Sequence, residues 1–436
     1  MTLFLIAMAV IVVLLLAQVP VAFSFGIGAL LFAFMTDNNI SFLIPHGFKT
    51  ASGFALLALP LFIYAGILMA EGGISERLLN FVNSIVGRIK GGLGAVTVLT
   101  CALFGAISGS SSAAIAAIGQ VMIPRMVREG YPAGHATALV ACSSVLALMI
   151  PPSIPMIVFS ITGGISVGAA FLSTIIPGIL LTLVYCGLNF WFLKDNDQIK
   201  VDAPLPLAAA TKGVMKSAGS AGFALLMPLL ILGAIYSGIA TPTEAAAIAV
   251  LYAIPVGLFI YRGLTLKTFG SATIKAVTMT GSIMAVLFFL FIMSRTMILE
   301  QVPKELAESL LQISDNKYVI LFLINIMLLL IGMIVDDISG SVLAAVIFLP
   351  VIQQLGIDPI HFAAVVGVNL GLGNVSPPCA PMLYMAGGVS KLSLDQYLKP
   401  TLKFLLLGHL PMVLLVTFVP QLSLLLPELV MDYTAL

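Results

Sequence analysis

The chain has 436 residues, 60% hydrophobic and 8% charged, with a mean hydropathy of +1.17 and a net charge of +1. Soluble domains run about 45–50% apolar and about 25% charged, and 19 Lys+Arg with 18 Asp+Glu cannot cover a water-facing surface of this length. A soluble enzyme and a nucleic-acid binder are therefore excluded, and the near-neutral balance gives no general attraction to nucleic acid.

Apolar runs lie near 1–17, 20–35, 53–71, 91–107, 112–124, 134–150, 166–193, 218–239, 241–261, 277–299, 318–335, 341–355, 360–373 and 400–427. They are continuous rather than alternating, so they read as helices and not as barrel strands. The fold class is an all-α polytopic membrane protein. The first run lacks a basic leading segment and a cleavage site and reads as a retained span. Several runs fall short of the roughly 20 residues of a full crossing and end in Gly, Ser or Pro, which suggests re-entrant hairpins or broken helices. The pieces 74–92 and 303–317 are amphipathic and read as helices lying in the headgroup plane. Cys101, Cys142, Cys186 and Cys379 sit in apolar stretches and read as packing residues. His46, His135, His361 and His409 show no metal-ligand spacing.

The most polar stretch, 194–217, falls near the middle and reads as a linker between a first unit, 1–193, and a second, 218–436. The two units repeat each other. Pro124 matches Pro350, Gly130 matches Gly356, His135 matches His361, Pro151-Pro152 matches Pro377-Pro378 and Pro155 matches Pro381, all at an interval of 226 residues. At an interval of 229, Glu71 meets Glu300 and Glu76 meets Glu305, so the amphipathic pieces repeat as well.

Each half is interrupted twice: at 105–114 (GAISGSSSAA) and 150–155 (IPPSIP), then at 332–341 (GMIVDDISGS) and 373–381 (GNVSPPCAP). Lipid offers freed backbone groups no partner, so such breaks are tolerated where they line a cavity, and matched breaks in two halves point to a transporter's binding site. Ser108-Gly109-Ser110-Ser111-Ser112 reads either as close helix packing through small residues or as a hairpin tip offering oxygens. Its counterpart favours the tip, because Ser110 and Ser111 align with Asp336 and Asp337. An intramembrane carboxylate is expensive and is a functional candidate by default; a water-exposed loop, or one Asp capping the next helix, are the other readings. Pro151-Pro152-Ser153 and Ser376-Pro377-Pro378 stop their helices and free carbonyls at 148–150 and 373–375. With Ser153, Asn374 and Ser376 they supply neutral hard oxygens, and the first site has no titratable group, so sodium is favoured over a proton as coupling ion. Arg295 is either a snorkelling side chain or a counter-ion for an anionic substrate or for Asp336 and Asp337. Glu244, in the first turn after Thr241-Pro242-Thr243, reads as structural.

The expected ion-binding set is Ser108, Gly109, Ser110, Ser111, Pro151, Ser153, Gly332, Asp336, Asp337, Gly373, Asn374 and Ser376. The expected substrate set is Ser112, Ser153, Arg295, Ser339, Asn369 and Asn374. Tip and break are 43 residues apart in both halves, Ser108 to Pro151 and Ile334 to Pro377. Each tip is therefore expected to face its own break, giving two cation sites that flank one substrate site.

The runs GAISGSSSAAIAAIGQVMIPRMVREGYP, LMIPPSIPMIV, GIATPTEAAAIAVLYA and NLGLGNVSPPCAPMLYM resemble the large membrane subunit of tripartite ATP-independent periplasmic (TRAP) transporters, over essentially the whole chain. That resemblance implies sodium-driven uptake of an organic acid, a sialic acid rather than a C4-dicarboxylate, handed over by a periplasmic substrate-binding protein across the bacterial inner membrane. It implies an elevator of two inverted repeats, akin to the ion transporter superfamily, with arms near 74–90 and 303–315. It also implies a small membrane subunit, expected as a separate chain. No cofactor beyond Na+ and no enzymatic activity is expected. The rival reading is a sodium/dicarboxylate symporter of similar fold that needs no binding protein. A channel and an intramembrane enzyme lack their features here, and no phosphate-binding GxxxxGK[ST] loop supports an ATP-driven pump.

Overall fold

The computed structural model describes residues 2–200 and 206–435, and among them every regular element is helical. In chain order these are α1 (Thr2–Leu16), α2 (Val21–Met35), α3 (Ile40–Ala51), α4 (Phe54–Glu71), α5 (Ile74–Val86), α6 (Gly92–Ser108), α7 (111–128), α8 (Ala133–Met149), α9 (Ile154–Gly163) and α10 (Val167–Leu193). There follow α11 (Leu207–Tyr236), α12 (Pro242–Ile260), α13 (Leu266–Leu299), α14 (Val302–Ile313), α15 (Lys317–Ile334), α16 (Asp337–Gln354), α17 (Pro359–Val375), α18 (Pro381–Ser390), α19 (Leu394–Phe418) and α20 (Gln421–Met431). Eight of the described helices are long and apolar enough to cross a membrane, and α8 with α9, bent by 41° at their break, has the length and apolarity of a broken span or a re-entrant loop.

The helices stop where their sequences require it. α6 ends at Gly109, which has φ +59° and bonds back to Gly105 O. α12 begins in a capping box, with Thr241 and Glu244 exchanging side-chain and backbone bonds, in keeping with a structural Glu244. The amphipathic α5 and α14 follow Gly73 and Gln301, both with positive φ, and bury one apolar face each. Both end earlier than their amphipathic pattern, at Val86 and Ile313.

Two elements differ from the sequence reading. Residues 40–51, which carry no long apolar run, form α3, capped by Asn39 through the Ser41 amide at 2.9 Å. The proposed linker 194–217 is not a simple spacer. Its start is tied down, with Lys90 bonding Lys194 O and Asp197 Oδ1 and the Lys200 amide bonding Glu129 O. Positions 201–205 lie outside the described residues, and α11 begins at Leu207. Ala and Lys there are good helix formers, and polarity hid the helix start.

Candidate functional site

The residues around the first tip are held by small side chains. A Cβ on Gly109 would stand 2.5 Å from Pro152 O, and the Ile154 amide donates to Gly109 O at 3.3 Å. The tip between α6 and α7 therefore lies directly on the break between α8 and α9. In the second half the contact is made one turn deeper. A Cβ on Gly332 would lie 3.1 Å from Gly373 Cα, and one on Gly373 would lie 2.6 Å from Gly332 C. α15 thus meets the end of α17 backbone to backbone, beside Asn374.

At both tips the first residue of the matched pair caps the returning helix. Ser110 Oγ accepts from the Ala113 amide at 3.4 Å. Asp336 Oδ2 accepts from the amides of Ile338 and Ser339 at 3.1 and 3.3 Å, and Ser339 Oγ donates to Oδ1 at 2.6 Å. The second residues meet each other: Ser111 Oγ donates to Asp337 Oδ2 at 3.1 Å. Around this junction lies a cavity of about 300 Å³ lined by Gly109 to Ser112, Ile154, Pro155, Met279, Ser282, Ile283, Asp336 to Ile338 and Met382.

Five of the candidate oxygen and nitrogen atoms stand apart. Ser108 Oγ, Ser153 Oγ, both polar atoms of Asn374 and, away from the cavity, Arg295 Nε are buried with no hydrogen-bond partner among the described residues. Leaving a buried polar group unpaired costs about 1–3 kcal/mol. A small cation with hard-oxygen preference fits the Ser108 and Ser153 hydroxyls, the Asn374 amide oxygen and the carbonyls their breaks free. Ser376 Oγ donates to Leu372 O at 2.7 Å and keeps its lone pairs.

Five of the six expected substrate residues do not line the cavity: Ser153 and Asn374 lie outside it with their breaks, and Arg295, Asn369 and Ser339 are engaged elsewhere. Arg295 lies 13 residues beyond Ser282 on α13, about 20 Å at helical rise, and stacks 5.7 Å from the Phe42 ring of α3. It is no counter-ion for Asp336 or Asp337. Asn369 is committed to a buried network, donating to Asn325 Oδ1 and to Val365 O, with Thr417 also donating to Asn325. Ser339 is committed to the Asp336 cap. Asp336 itself is thereby drawn into helix capping. Ser112 does line the cavity, bonded to Ser110 at 3.0 Å. Met279, Ser282, Ile283 and Met382 were not legible as lining residues. Three of them lie in or beside the long apolar run of α13, where one Ser among small residues carries no signal.

Comparison with known proteins gives a consistent family. The family model described as tripartite ATP-independent periplasmic transporter, DctM component, matches residues 8–422. A sialic acid TRAP transporter large permease of Vibrio cholerae is 35% identical over 425 residues, covering 96% of this chain and 97% of its own. A C4-dicarboxylate TRAP transporter large permease of Pseudomonas aeruginosa is 33% identical over 401 residues, 92% of each chain. An isethionate TRAP transporter permease of Oleidesulfovibrio alaskensis is 34% identical over 407 residues, 93% of this chain. The chain spans 63% of that relative's length. Among solved structures, the YdaH transporter of Alcanivorax borkumensis superposes with a TM-score of 0.63 at 17% identity, covering 87% of this chain and 88% of its own. Neisseria gonorrhoeae MtrF superposes with a TM-score of 0.60 at 15% identity, covering 86% and 84%. These two share the fold. The chain belongs to the DctM component family of tripartite ATP-independent periplasmic transporters and is a multi-pass permease of the bacterial inner membrane, not an enzyme.

Proposed function

We propose that this permease couples the uptake of an organic acid to sodium, moving cargo and ions together as an elevator. The observation that carries the reading is the set of unpartnered buried atoms, at Ser108 and Ser153 on one side and Asn374 on the other, flanking a cavity between two hairpin tips. Neutral oxygens at helix breaks suit Na+, and a proton relay would need a titratable group in the first cluster. One Na+ is held by Ser108, Gly109, Pro151 and Ser153. A second is held by Gly332, Gly373, Asn374 and Ser376. The cargo lies between them. The halves 1–193 and 218–436 act as inverted repeats.

The chain's charges give the repeats a direction. The α6–α7 hairpin opens at the end where Lys90 meets Asp197 and Arg125 meets Asn83, and Ser84 of α5 ties in α11 through Ser217. α4 and α13 reach the same end through the Glu71–Lys275 pair, and α19 through the close approach of Gly134 to Gln396. The α15–α16 hairpin opens at the opposite end, where Asn38 bonds Glu300 at 2.9 Å. Of the 19 Lys and Arg, only Lys49, Arg295, Lys304 and Lys317 fall at that second end. By the positive-inside bias the first end is cytoplasmic and the second periplasmic.

A periplasmic binding protein delivers the acid at the second end, and a small membrane subunit on a separate chain completes the complex. Sialic acid, C4-dicarboxylates and isethionate, which name the relatives, are the candidate cargoes. Reconstitution with the binding protein and small subunit tests the reading: uptake follows an imposed sodium gradient. Uptake driven by a proton gradient in sodium-free buffer refutes it, and full uptake without the binding protein moves the assignment to a stand-alone sodium symporter.

A further inference from the structure

α13 carries two charges 20 residues apart, Lys275 and Arg295. At helical rise that is about 30 Å, the thickness of a bilayer's hydrocarbon core. Lys275 pairs with Glu71 at one interface, so Arg295 lies at headgroup depth at the other. Arg295 Nε is buried with no hydrogen-bond partner, and the guanidinium stands 5.7 Å from the Phe42 ring of α3. The His46 ring stacks with the same Phe42, their centroids 6.3 Å apart. Gly47 seats α3 on α13, since a Cβ there would stand 2.8 Å from Ile292. Helical phase then gives α3 two flanks beside its buried Leu43 and Gly47. Phe42, His46 and Lys49 share one, and the exposed Ile44 and Phe48 share the other. α3 is not one of the crossing helices. Burial, and then the charges of Arg295 and Lys49, push its His46 imidazole below the usual range. Among the described residues neither Arg295 nor Lys49 forms an ion pair, and the carboxylate of Glu300 is bonded to Asn38.

We propose that Arg295, His46 and Lys49 hold the phosphate of an anionic phospholipid. Two cations converge on one imidazole with no carboxylate between them, at the end of the molecule poorer in Lys and Arg. Arg takes two phosphate oxygens through its planar fork, and Lys adds a point charge. Depth decides the source of the phosphate. An amphipathic helix at the headgroup level turns its polar flank to headgroups and its apolar flank to acyl chains, and a lipid held by the first flank of α3 lays its chains along Ile44 and Phe48. A headgroup with its own ammonium, such as phosphatidylcholine, neutralises its phosphate internally and leaves both side-chain charges uncompensated. A soluble phosphate gains the charges without the apolar flank. The site stands about 20 Å from the cargo cavity along α13, and it does not depend on the coupling reading.

The test titrates the purified permease, alone and in complex with the small subunit, with three probes: dioleoylphosphatidylglycerol, dioleoylphosphatidylcholine and glycerol 3-phosphate, which has the phosphate without the chains. Affinity for the first bound molecule is read from native mass spectra. Each basic residue beside an anionic headgroup is worth about fivefold in affinity. Phosphatidylglycerol is therefore expected to bind about tenfold or more tighter than either other probe. Arg295→Gln and the exposed Lys49→Gln are each expected to weaken phosphatidylglycerol about fivefold and to leave phosphatidylcholine unchanged. Lys49→Gln carries the test if Arg295→Gln does not fold. Lys275→Gln removes a charge at the other end of the same helix and is expected to keep the full preference. The proposal is overturned if the two lipids bind alike, if neither Arg295→Gln nor Lys49→Gln reduces the preference, or if Lys275→Gln reduces it as much. Glycerol 3-phosphate binding as tightly as phosphatidylglycerol overturns it in favour of a soluble-anion site. Loss of the preference in the complex overturns it in favour of a contact with the small subunit.

Discussion

Ser111 donates its hydroxyl to Asp337 Oδ2 across 3.1 Å, and the two are 226 residues apart, the interval that separates Pro151 from Pro377 and His135 from His361. If a pseudo-two-fold axis relates the halves, a residue can touch its own counterpart only where that axis passes. The bond marks the point at which the α6–α7 and α15–α16 tips meet. It also explains why a hydroxyl faces a carboxylate there: two carboxylates in contact would repel, and two hydroxyls would offer cargo no fixed polarity.

Removing that bond is the first prediction. A hydrogen bond to a charged group contributes about 1.5–3 kcal/mol. Ser111→Ala leaves Asp337 with its neighbouring amide alone. At saturating sodium, kcat/KM for uptake is expected to fall roughly ten- to hundredfold, the ratio that energy corresponds to. The melting temperature is expected to fall by no more than a few degrees, since that energy is a small share of the unfolding enthalpy of a chain this long. A loss of folded protein instead would place the pair among the residues that hold the fold together.

The second prediction concerns the unpartnered atoms. Ser153→Ala and Asn374→Ala each remove a buried polar group that has no partner among the described residues. If these groups were merely unsatisfied, deletion would be neutral or stabilising. If they hold Na+, each variant raises the sodium concentration for half-maximal uptake, by about tenfold for one lost ligand. The maximal rate at high sodium is kept more fully than in Ser111→Ala. The two outcomes are opposite in sign and are read from sodium titrations of uptake alongside melting curves.

A third prediction follows from the Gly332–Gly373 contact. A Cβ on Gly373 meets Gly332 backbone at 2.6 Å, and backbone cannot swing aside as a flexible side chain can. Gly373→Ala is expected to push α15 from α17 and to weaken sodium response and thermal stability together. Gly281→Ala on α13 meets nothing within 4 Å and serves as the control, with both measurements unchanged. Equal behaviour of the two variants would mean that the close approach has no role.

Much of the site was legible because breaks in a membrane chain are conspicuous. Consecutive prolines, a run of three serines and a carboxylate pair all stand out against apolar surroundings, and the interval of 226 residues doubles each signal. The first tip meets its own break, as equal spacing led one to expect; in the second half the contact lies one turn before the tip, between Gly332 and Gly373. What could not be read was which way individual side chains turn. Asp336 and Asp337 are adjacent, chemically identical and both on the cavity wall, yet Asp336 is spent on the helix cap while Asp337 reaches across to Ser111. That division depends on helical phase at the tip, not on residue type. Arg295 misled for a related reason: its charge suggested a counter-ion, but its depth is fixed by the length of α13, which carries it to Phe42. α3 was missed because Pro45, His46 and Lys49 dilute a helix that is anchored against Phe288 and Ile292 by Gly47.

The last prediction concerns direction across the membrane. In the linear sequence, Lys and Arg are spread over many loops and show no bias. The proposed topology sorts them, with each hairpin returning to its own side and each long helix crossing. In it Lys194, Lys200, Arg125, Arg128, Lys391 and Lys399 share one end, while Glu300, Glu305 and Glu308, near Lys304, lie at the other. Cationic loops are retained on the cytoplasmic side, so Asp195 should be cytoplasmic and Glu308 periplasmic. The four native cysteines are buried or half-buried, so single cysteines introduced as Asp195→Cys and Glu308→Cys can be read against a low background. In intact cells a membrane-impermeant thiol reagent is expected to label Glu308→Cys, and Asp195→Cys only after permeabilisation. The reverse pattern would place the α15–α16 hairpin at the cytoplasmic face, and with it the end at which a periplasmic protein is proposed to deliver cargo. Labelling of both positions in intact cells would contradict the alternation of helices itself.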